Sequence, residues 1–278
     1  SVDFDLKEGQ VHALVGENGA GKSTLVNIIA GLQSPDSGLM QLDEQTYKPA
    51  GKADAEAYGV RMVMQELHLI PNLSVAENIF IERLPSRFGF VNYSKLNLAA
   101  RQVMQRVGLG DIEPDVQVRR LGVGQKQMVE IAAGLSRRCR ILALDEPTAS
   151  LTDREIELLF AQIRKLKDEG VGIIYISHRI EEVIDIADRV TVLRDGKSVF
   201  TGPTSDLSPG EIIFKMVGRD LEHEQLRHGT KVGTVALRVA GLTVGDKVRE
   251  VSFEVRRGEI LGVAGLMGSG RTETMRAV

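Results

Sequence analysis

Residues 16–23 read Gly16-Glu17-Asn18-Gly19-Ala20-Gly21-Lys22-Ser23. An apolar run, Val11 to Val15, precedes them and predicts a buried strand; a helical run, Lys22 to Gly31, follows. Glycines at 16, 19 and 21 admit dihedrals closed to other residues, so successive backbone N–H groups can turn inward on a phosphate. The start of the helix adds partial positive charge at the same place. Lys22 then reaches the β- and γ-phosphates of a nucleotide, and the Ser23 hydroxyl, followed by Thr24, offers a ligand to Mg²⁺. The stretch therefore predicts a strand–loop–helix unit that binds a nucleotide.

The passage recurs in altered form near the other end of the chain. Residues 265–272 read Gly265-Leu266-Met267-Gly268-Ser269-Gly270-Arg271-Thr272, with Arg271 in the place of Lys22. Upstream, Val251-Ser252-Phe253-Glu254-Val255 matches Val2-Asp3-Phe4-Asp5-Leu6 at a constant offset of 249 residues, and Gly258 matches Gly9. A second, unequal nucleotide domain is thus expected to begin before the chain stops. The expected division is a first domain over 1–222, a linker over 223–233, and the start of a second domain over 234–278. Ahead of the second copy, Ala236–Thr243 reads as a strand and loop with no counterpart before Ser1. A segment is therefore expected to be missing at the N-terminus, and both ends look cut.

Along the chain, strands and helices alternate. Val2–Leu6, Val60–Met64, Ile141–Leu144, Gly172–Ile176, Arg189–Leu193 and Val199–Thr201 read as strands, and Leu39–Leu42 as a short one. Asp153–Glu169 is amphipathic and stopped by Gly170. This alternation implies an α/β layer with a mostly parallel sheet. The block from about 74 to 138 reads as helical throughout, an insert carried on that core. Ser74 and Glu77 open it as a capping box, and Asn97–Val107 and Gln125–Leu135 continue it.

Composition agrees with a soluble cytosolic protein: 278 residues, 42 % hydrophobic, net charge −3. That balance gives no electrostatic case for a nucleic-acid partner. The single Cys139 cannot form an internal disulfide and reads as inert. No Cys or His cluster has metal-ligand spacing, and no apolar stretch approaches the roughly 20 residues of a membrane span. The methionines at 62, 64, 104, 128 and 216 read as core packing.

Asp145-Glu146 follows the apolar strand Ile141–Leu144. Carboxylates at the C-terminal end of a buried strand face the crevice where α/β sheets bind ligands. Asp145 is placed to hold Mg²⁺ through water, and Glu146 to take a proton from an attacking water. Hydrolysis of a phosphoanhydride needs mainly such positioning and charge neutralisation.

In order, the chain shows the phosphate loop, Gln65, Leu121-Gly122-Val123-Gly124-Gln125, Leu142-Ala143-Leu144-Asp145-Glu146, Thr148-Ala149-Ser150-Leu151 and Ser177-His178. This series resembles an ATP-binding-cassette ATPase over residues 2–220. The resemblance implies a P-loop NTPase core with a mostly parallel sheet, an antiparallel β subdomain and an inserted helical subdomain. It implies ATP and Mg²⁺, with Gln65 sensing the metal, Gly122 to Gln125 contacting the γ-phosphate of the opposite domain, and His178 contacting that of its own. Alone, Gln65 reads better as a strand-end polar residue and His178 as a helix-start residue; the ordered series favours the functional reading. Catalysis would then rest on Lys22, Gln65, Glu146 and His178.

Two cassettes in tandem, the second altered, resemble the fused ATPase subunit of bacterial monosaccharide importers of the ribose, xylose and galactose type. This implies a peripheral protein on the cytoplasmic face of the inner membrane. Its partners would be integral-membrane permease subunits and, through them, an extracytoplasmic sugar-binding protein. The alternative is a non-transport clamp gated by ATP, a ribosome- or nucleic-acid-associated switch.

One departure stands out. The family signature usually begins Leu-Ser-Gly-Gly-Gln, and here Gly122 carries no hydroxyl. In the head-to-tail pairing that the resemblance implies, this signature would face the loop holding Gly265, Gly268, Gly270 and Arg271. Both altered elements would then share one composite site, expected to hold nucleotide and turn it over slowly or not at all. The Lys22 and Glu146 site would do the hydrolysis.

Overall fold

Every side chain of Val11–Val15 (β1) is buried, as a strand covered on both faces requires. In the computed structural model, which describes residues 2–64, 67–87, 89–218, 232–265 and 269–278, β1 lies within a six-stranded sheet. The chain divides into two compact units, Ser1–Arg219 and Asp220–Val278.

In the first unit, β1 leads through α1 (Lys22–Ile29) to a small hairpin, β2 (Gln41–Leu42) with β3 (Gln45–Thr46). A short helix, α2 (Lys52–Ala57), precedes β4 (Val60–Val63). The insert then holds α3 (Val75–Ile79), a hairpin of β5 (Ser86–Arg87) with β6 (Phe90–Val91), α4 (Tyr93–Arg106) and α5 (Val123–Leu135). The remaining elements are β7 (Ile141–Asp145), α6 (Asp153–Asp168), β8 (Gly172–Ile176), α7 (Ile180–Ile186), β9 (Arg189–Arg194), β10 (Lys197–Pro203) and α8 (Pro209–Val217). The sheet order is β10-β9-β1-β8-β7-β4. All neighbours run parallel except β9 and β10. That antiparallel pair is joined by Asp195-Gly196, both at positive φ (51° and 73°), the conformation that matches strand twist in a two-residue turn.

The helices pack by apolar stripes. In α6 the buried residues are Ile156, Leu159, Phe160, Ile163 and Leu166, the spacing of one helical face. One continuous core joins this face to Leu142, Leu144 and Ile173 of the sheet and to Val75, Leu96 and Ile131 of the insert. The insert is therefore packed on the sheet through apolar contact. Capping boxes close the N-termini of α3 (Ser74/Glu77), α6 (Thr152/Glu155) and α8 (Ser208/Glu211).

Two local expectations need correction, and one helix is new. Val2–Leu6 forms no strand. Its alternate side chains Val2, Phe4 and Leu6 pack on the core, and Phe4 lies 4.5 Å from His12 between ring centroids. Alternation thus reflects one buried face without a ladder partner. The insert is not helical throughout, because Gly89 at φ +84° turns the chain into the β5–β6 hairpin. The helix α2 was not foreseen: of its six residues only Ala55 is buried, so it carries no apolar stripe.

The second unit holds a hairpin of β11 (Val235–Val244) with β12 (Val248–Arg256), and α9 (Arg271–Ala277). Residues 260–264, the counterpart of β1, form no strand here, and Ile260 is 84 % exposed.

Candidate nucleotide site

Three parallel strands, β1, β8 and β7, are consecutive neighbours in the sheet. Their C-terminal ends therefore lie side by side, about 10 Å from first to last at the usual strand spacing. The segments leaving those ends are the phosphate loop, Ser177-His178 and Asp145-Glu146. The topology alone brings together residues that lie far apart in the chain.

The phosphate loop is shaped by its glycines. Gly16 is buried with φ +155°, and a Cβ there would sit 2.3 Å from the Leu193 carbonyl oxygen. Gly21 at φ +100° starts α1 in the left-handed region, with no side chain capping the helix and no acidic residue in its first turn. The capped helices α3, α6 and α8 spend their first N–H groups on serine or threonine. Helix α1 leaves its own for an anion. Glu17, Asn18 and Gly19 are exposed along the outside of the loop, Ala20 is buried beneath it, and Ser23 and Thr24 are exposed at the helix start.

Lys22 is buried, and its Nζ donates to the carbonyls of Gly16 (2.7 Å) and Glu17 (3.0 Å). Burial pushes its pKa down, with Glu146 and Asp145 opposing. Asp145 shows the converse: burial pushes its carboxyl up, against a hydrogen bond from Ser23. Ser23 and Asp145, two of the three expected Mg²⁺ residues, are thus already in contact. Among the described residues no group of three or more His, Cys, Asp or Glu could hold a metal. A hydroxyl and one carboxylate fit Mg²⁺, which keeps several waters and takes further oxygens from substrate phosphates.

Glu146 adopts φ +46°, an uncommon conformation for a residue with a side chain. Its N–H donates to the Ile176 carbonyl at 3.0 Å. Its Oε1 lies 3.0 Å from Nδ1 of the half-exposed His178. Lys22, Ser23, Asp145, Glu146 and His178 therefore belong to one cluster. Gln65 and Gly268 lie outside the described residues.

The signature residues are placed differently. Gly122 donates its N–H to Gln125 Oε1 (3.0 Å), and Gly124 donates to Glu155 Oε1 (3.0 Å). Both amides are satisfied within their own unit. Glu155 was missed by sequence reasoning; its only visible signal was the capping spacing from Thr152. Gly122 and Val123 are exposed, and Gly124 is buried against Glu155.

In the second unit Gly265 has φ +159° and Gly270 φ +84°, close to the values at Gly16 and Gly21. The Arg271 Cδ lies 3.5 Å from the place of a Gly265 Cβ.

Residues 1–149 match the ABC transporter family. The chain belongs to that family. It is 48 % identical over 277 residues to the ribose import ATP-binding protein RbsA 1 of Streptomyces avermitilis, covering 100 % of this chain and 53 % of that protein. To the putative ribose/galactose/methyl galactoside import ATP-binding protein 2 of Burkholderia cenocepacia it is 52 % identical over 278 residues, covering 99 % and 54 %. The chain spans about half the length of the curated relatives it matches. Among solved structures, a nucleotide-free ATP-binding cassette from an ABC transporter superposes with TM-score 0.66 at 23 % identity, over 78 % of this chain and 88 % of that one. A dimeric cassette in a post-hydrolysis state, bound to ADP and Pi, gives 0.62 at 25 % identity over 73 % and 89 %. The fold is that of an ABC cassette, α/β with a mostly parallel P-loop NTPase sheet.

Proposed function

We propose that these residues form the hydrolysing cassette, and the beginning of a second, altered cassette, of an ATPase that energises monosaccharide import. The observation that carries this reading is the cluster of Lys22, Ser23, Asp145, Glu146 and His178 at the ends of three adjacent strands. Similarity to ribose and galactose import ATP-binding proteins favours sugar import over a non-transport clamp.

The loop N–H groups and Lys22 would bind the β- and γ-phosphates of ATP. Ser23 and Asp145, with Gln65, would hold Mg²⁺, which supplies charge neutralisation on the phosphate oxygens. Glu146 accepts a proton from a water as its oxygen attacks the γ-phosphorus and the bond to ADP breaks. His178, beside Glu146, would contact the same phosphate. ATP would close two cassettes together and hydrolysis release them; such a cycle does work only because the closed state binds ATP better than the open one.

No helix among the described residues is long and apolar enough to cross a membrane. Separate permease subunits would therefore carry the sugar, fed by an extracytoplasmic binding protein, with this protein peripheral at the cytoplasmic face. The first cassette would extend over 1–222 and the second begin at 234. The test is ATPase activity of the full-length protein assembled with its permease in liposomes. Stimulation by the loaded sugar-binding protein is expected. Co-purification with ribosomes, without any such stimulation, would support the clamp instead.

A further inference from the structure

Glu182 on α7 is only 6 % exposed. Its Oε2 accepts three hydroxyl hydrogen bonds, from Thr148 (2.8 Å), Tyr175 (2.8 Å) and Ser177 (3.0 Å). Its Oε1 lies 2.8 Å from Arg179 Nη1, close enough for an ion pair but out of line for a hydrogen bond. Ser177 passes the constraint on, because its Oγ also accepts the Arg179 N–H at 3.0 Å.

The placement of these donors is what matters. Thr148 stands two residues after Glu146, and Ser177 immediately precedes His178. One carboxylate oxygen therefore ties together the two loops that carry the base and the histidine. Both loops line one cavity of about 220 Å³, formed by Glu146, Thr148, Ala149, Ser177, His178 and Arg179. Glu146 itself sits at φ +46°, and such a conformation persists only where the surroundings over-determine it. A buried charge is a poor device for stability, since an apolar replacement often does as well. With three hydroxyls on Oε2 and Arg179 beside Oε1, this one ties the two loops to a single geometry.

We propose that Glu182 is a positioning residue: it holds the Thr148 and Ser177 hydroxyls so that Glu146 and His178 stay in register for hydrolysis. The proposal rests on the reading of Glu146 and His178 given above. It assigns Glu182 no contact with nucleotide, so its loss should act on turnover and spare binding.

The test measures kcat, KM and Kd for ATP, and Tm in the full-length protein. The variants are Glu182→Ala, Glu182→Gln, Ser177→Ala and Thr148→Val, with Leu166→Ala as a control. Leu166 is buried at the far end of α6, about 20 Å along the helix from its start, so it lowers Tm without touching either loop. Expected is a kcat loss of at least about tenfold for Glu182→Ala, in line with the sensitivity of catalysis to small misplacements. Its ATP Kd should stay within about threefold of wild type, less than one step of 1.4 kcal/mol in binding. Ser177→Ala and Thr148→Val should each lose several-fold in kcat, and Glu182→Gln, which keeps an acceptor oxygen, should recover part of the loss. If Glu182→Ala does not fold, the other three variants carry the same readouts. The proposal is overturned if kcat stays within twofold of wild type in all the variants that fold. It is equally overturned if their kcat losses merely follow Tm as the Leu166→Ala control does. Glu146→Gln run in parallel separates the two readings. Full turnover in Glu146→Gln removes the base and this proposal with it. Loss of turnover there, with none in the Glu182 series, removes this proposal alone.

Discussion

Replacing Lys22 by methionine keeps the aliphatic stem and deletes the ammonium. Without nucleotide, that ammonium donates to the Gly16 and Glu17 carbonyls. Hydrogen bonds from a charged group contribute about 1.5–3 kcal/mol each. Burying the charge costs several kcal/mol in turn, so the two effects nearly offset and the fold should survive with little change in Tm. Nucleotide affinity should not survive. An ammonium about 4 Å from a phosphate charge, at an effective dielectric near 20, attracts it by about 4 kcal/mol. The Asp145 and Glu146 carboxylates, whose charge Lys22 now opposes, would also face the phosphates with that cation gone. Isothermal titration with ATP and Mg²⁺ should show affinity weaker by about three orders of magnitude. Lys22→Arg transplants the feature of the second loop. Its guanidinium is wider and planar and has to enter a pocket that leaves Lys22 only 6 % exposed. It should bind ATP more weakly than wild type and better than the methionine variant. ATP binding by Lys22→Met within threefold of wild type would refute the reasoning, because the loop amides alone would then suffice.

Two other measurements follow from buried or paired groups. His12 is fully buried between the Asp5 carbonyl and Thr191 Oγ1, and burial pushes its pKa down to about 4 from 6.5. The unfolded chain then binds the extra proton between pH 6.5 and 4, so folded stability falls as pH drops through that window, by up to about 3 kcal/mol. Denaturation of wild type and His12→Gln across this range should show the steeper acid loss in wild type only. Glu155 serves two elements, accepting from Thr152 N–H and Oγ1 (2.9 Å each) and from Gly124 N–H (3.0 Å). Glu155→Ala should cost about 1–2 kcal/mol from the lost cap and the freed amide, read as a fall in urea midpoint with an unchanged m-value.

Legibility in the sequence followed the physics of each element. The strands of the sheet were visible because two-sided burial leaves near-continuous apolar runs, unbroken in Ile141–Leu144 and interrupted in Val11–Val15 only by His12. The phosphate loop was visible because its glycines and Lys22 are contiguous. Helix α2 was invisible for want of an apolar stripe, and Val2–Leu6 misled because one-sided burial alternates with or without a ladder. Glu182 was hidden for another reason. It flanks the buried stripe Ile180, Val183 and Ile186 of α7, where a charged residue reads as solvated edge. Only the sheet, by bringing Thr148 and Ser177 to the same place, shows what it does. The same holds for Glu155, whose capping role is local and whose bond to Gly124 spans 31 residues.

On the proposed reading the cluster of Lys22, Asp145 and Glu146 hydrolyses ATP, and the altered loop that carries Arg271 adds little or no turnover. Steady-state ATPase of the full-length protein carrying Glu146→Gln or, separately, Arg271→Ala tests it most directly. Expected is a loss of at least about hundredfold for Glu146→Gln, the range of a general base, and of less than about tenfold for Arg271→Ala. Equal abolition of turnover by the two changes would contradict it.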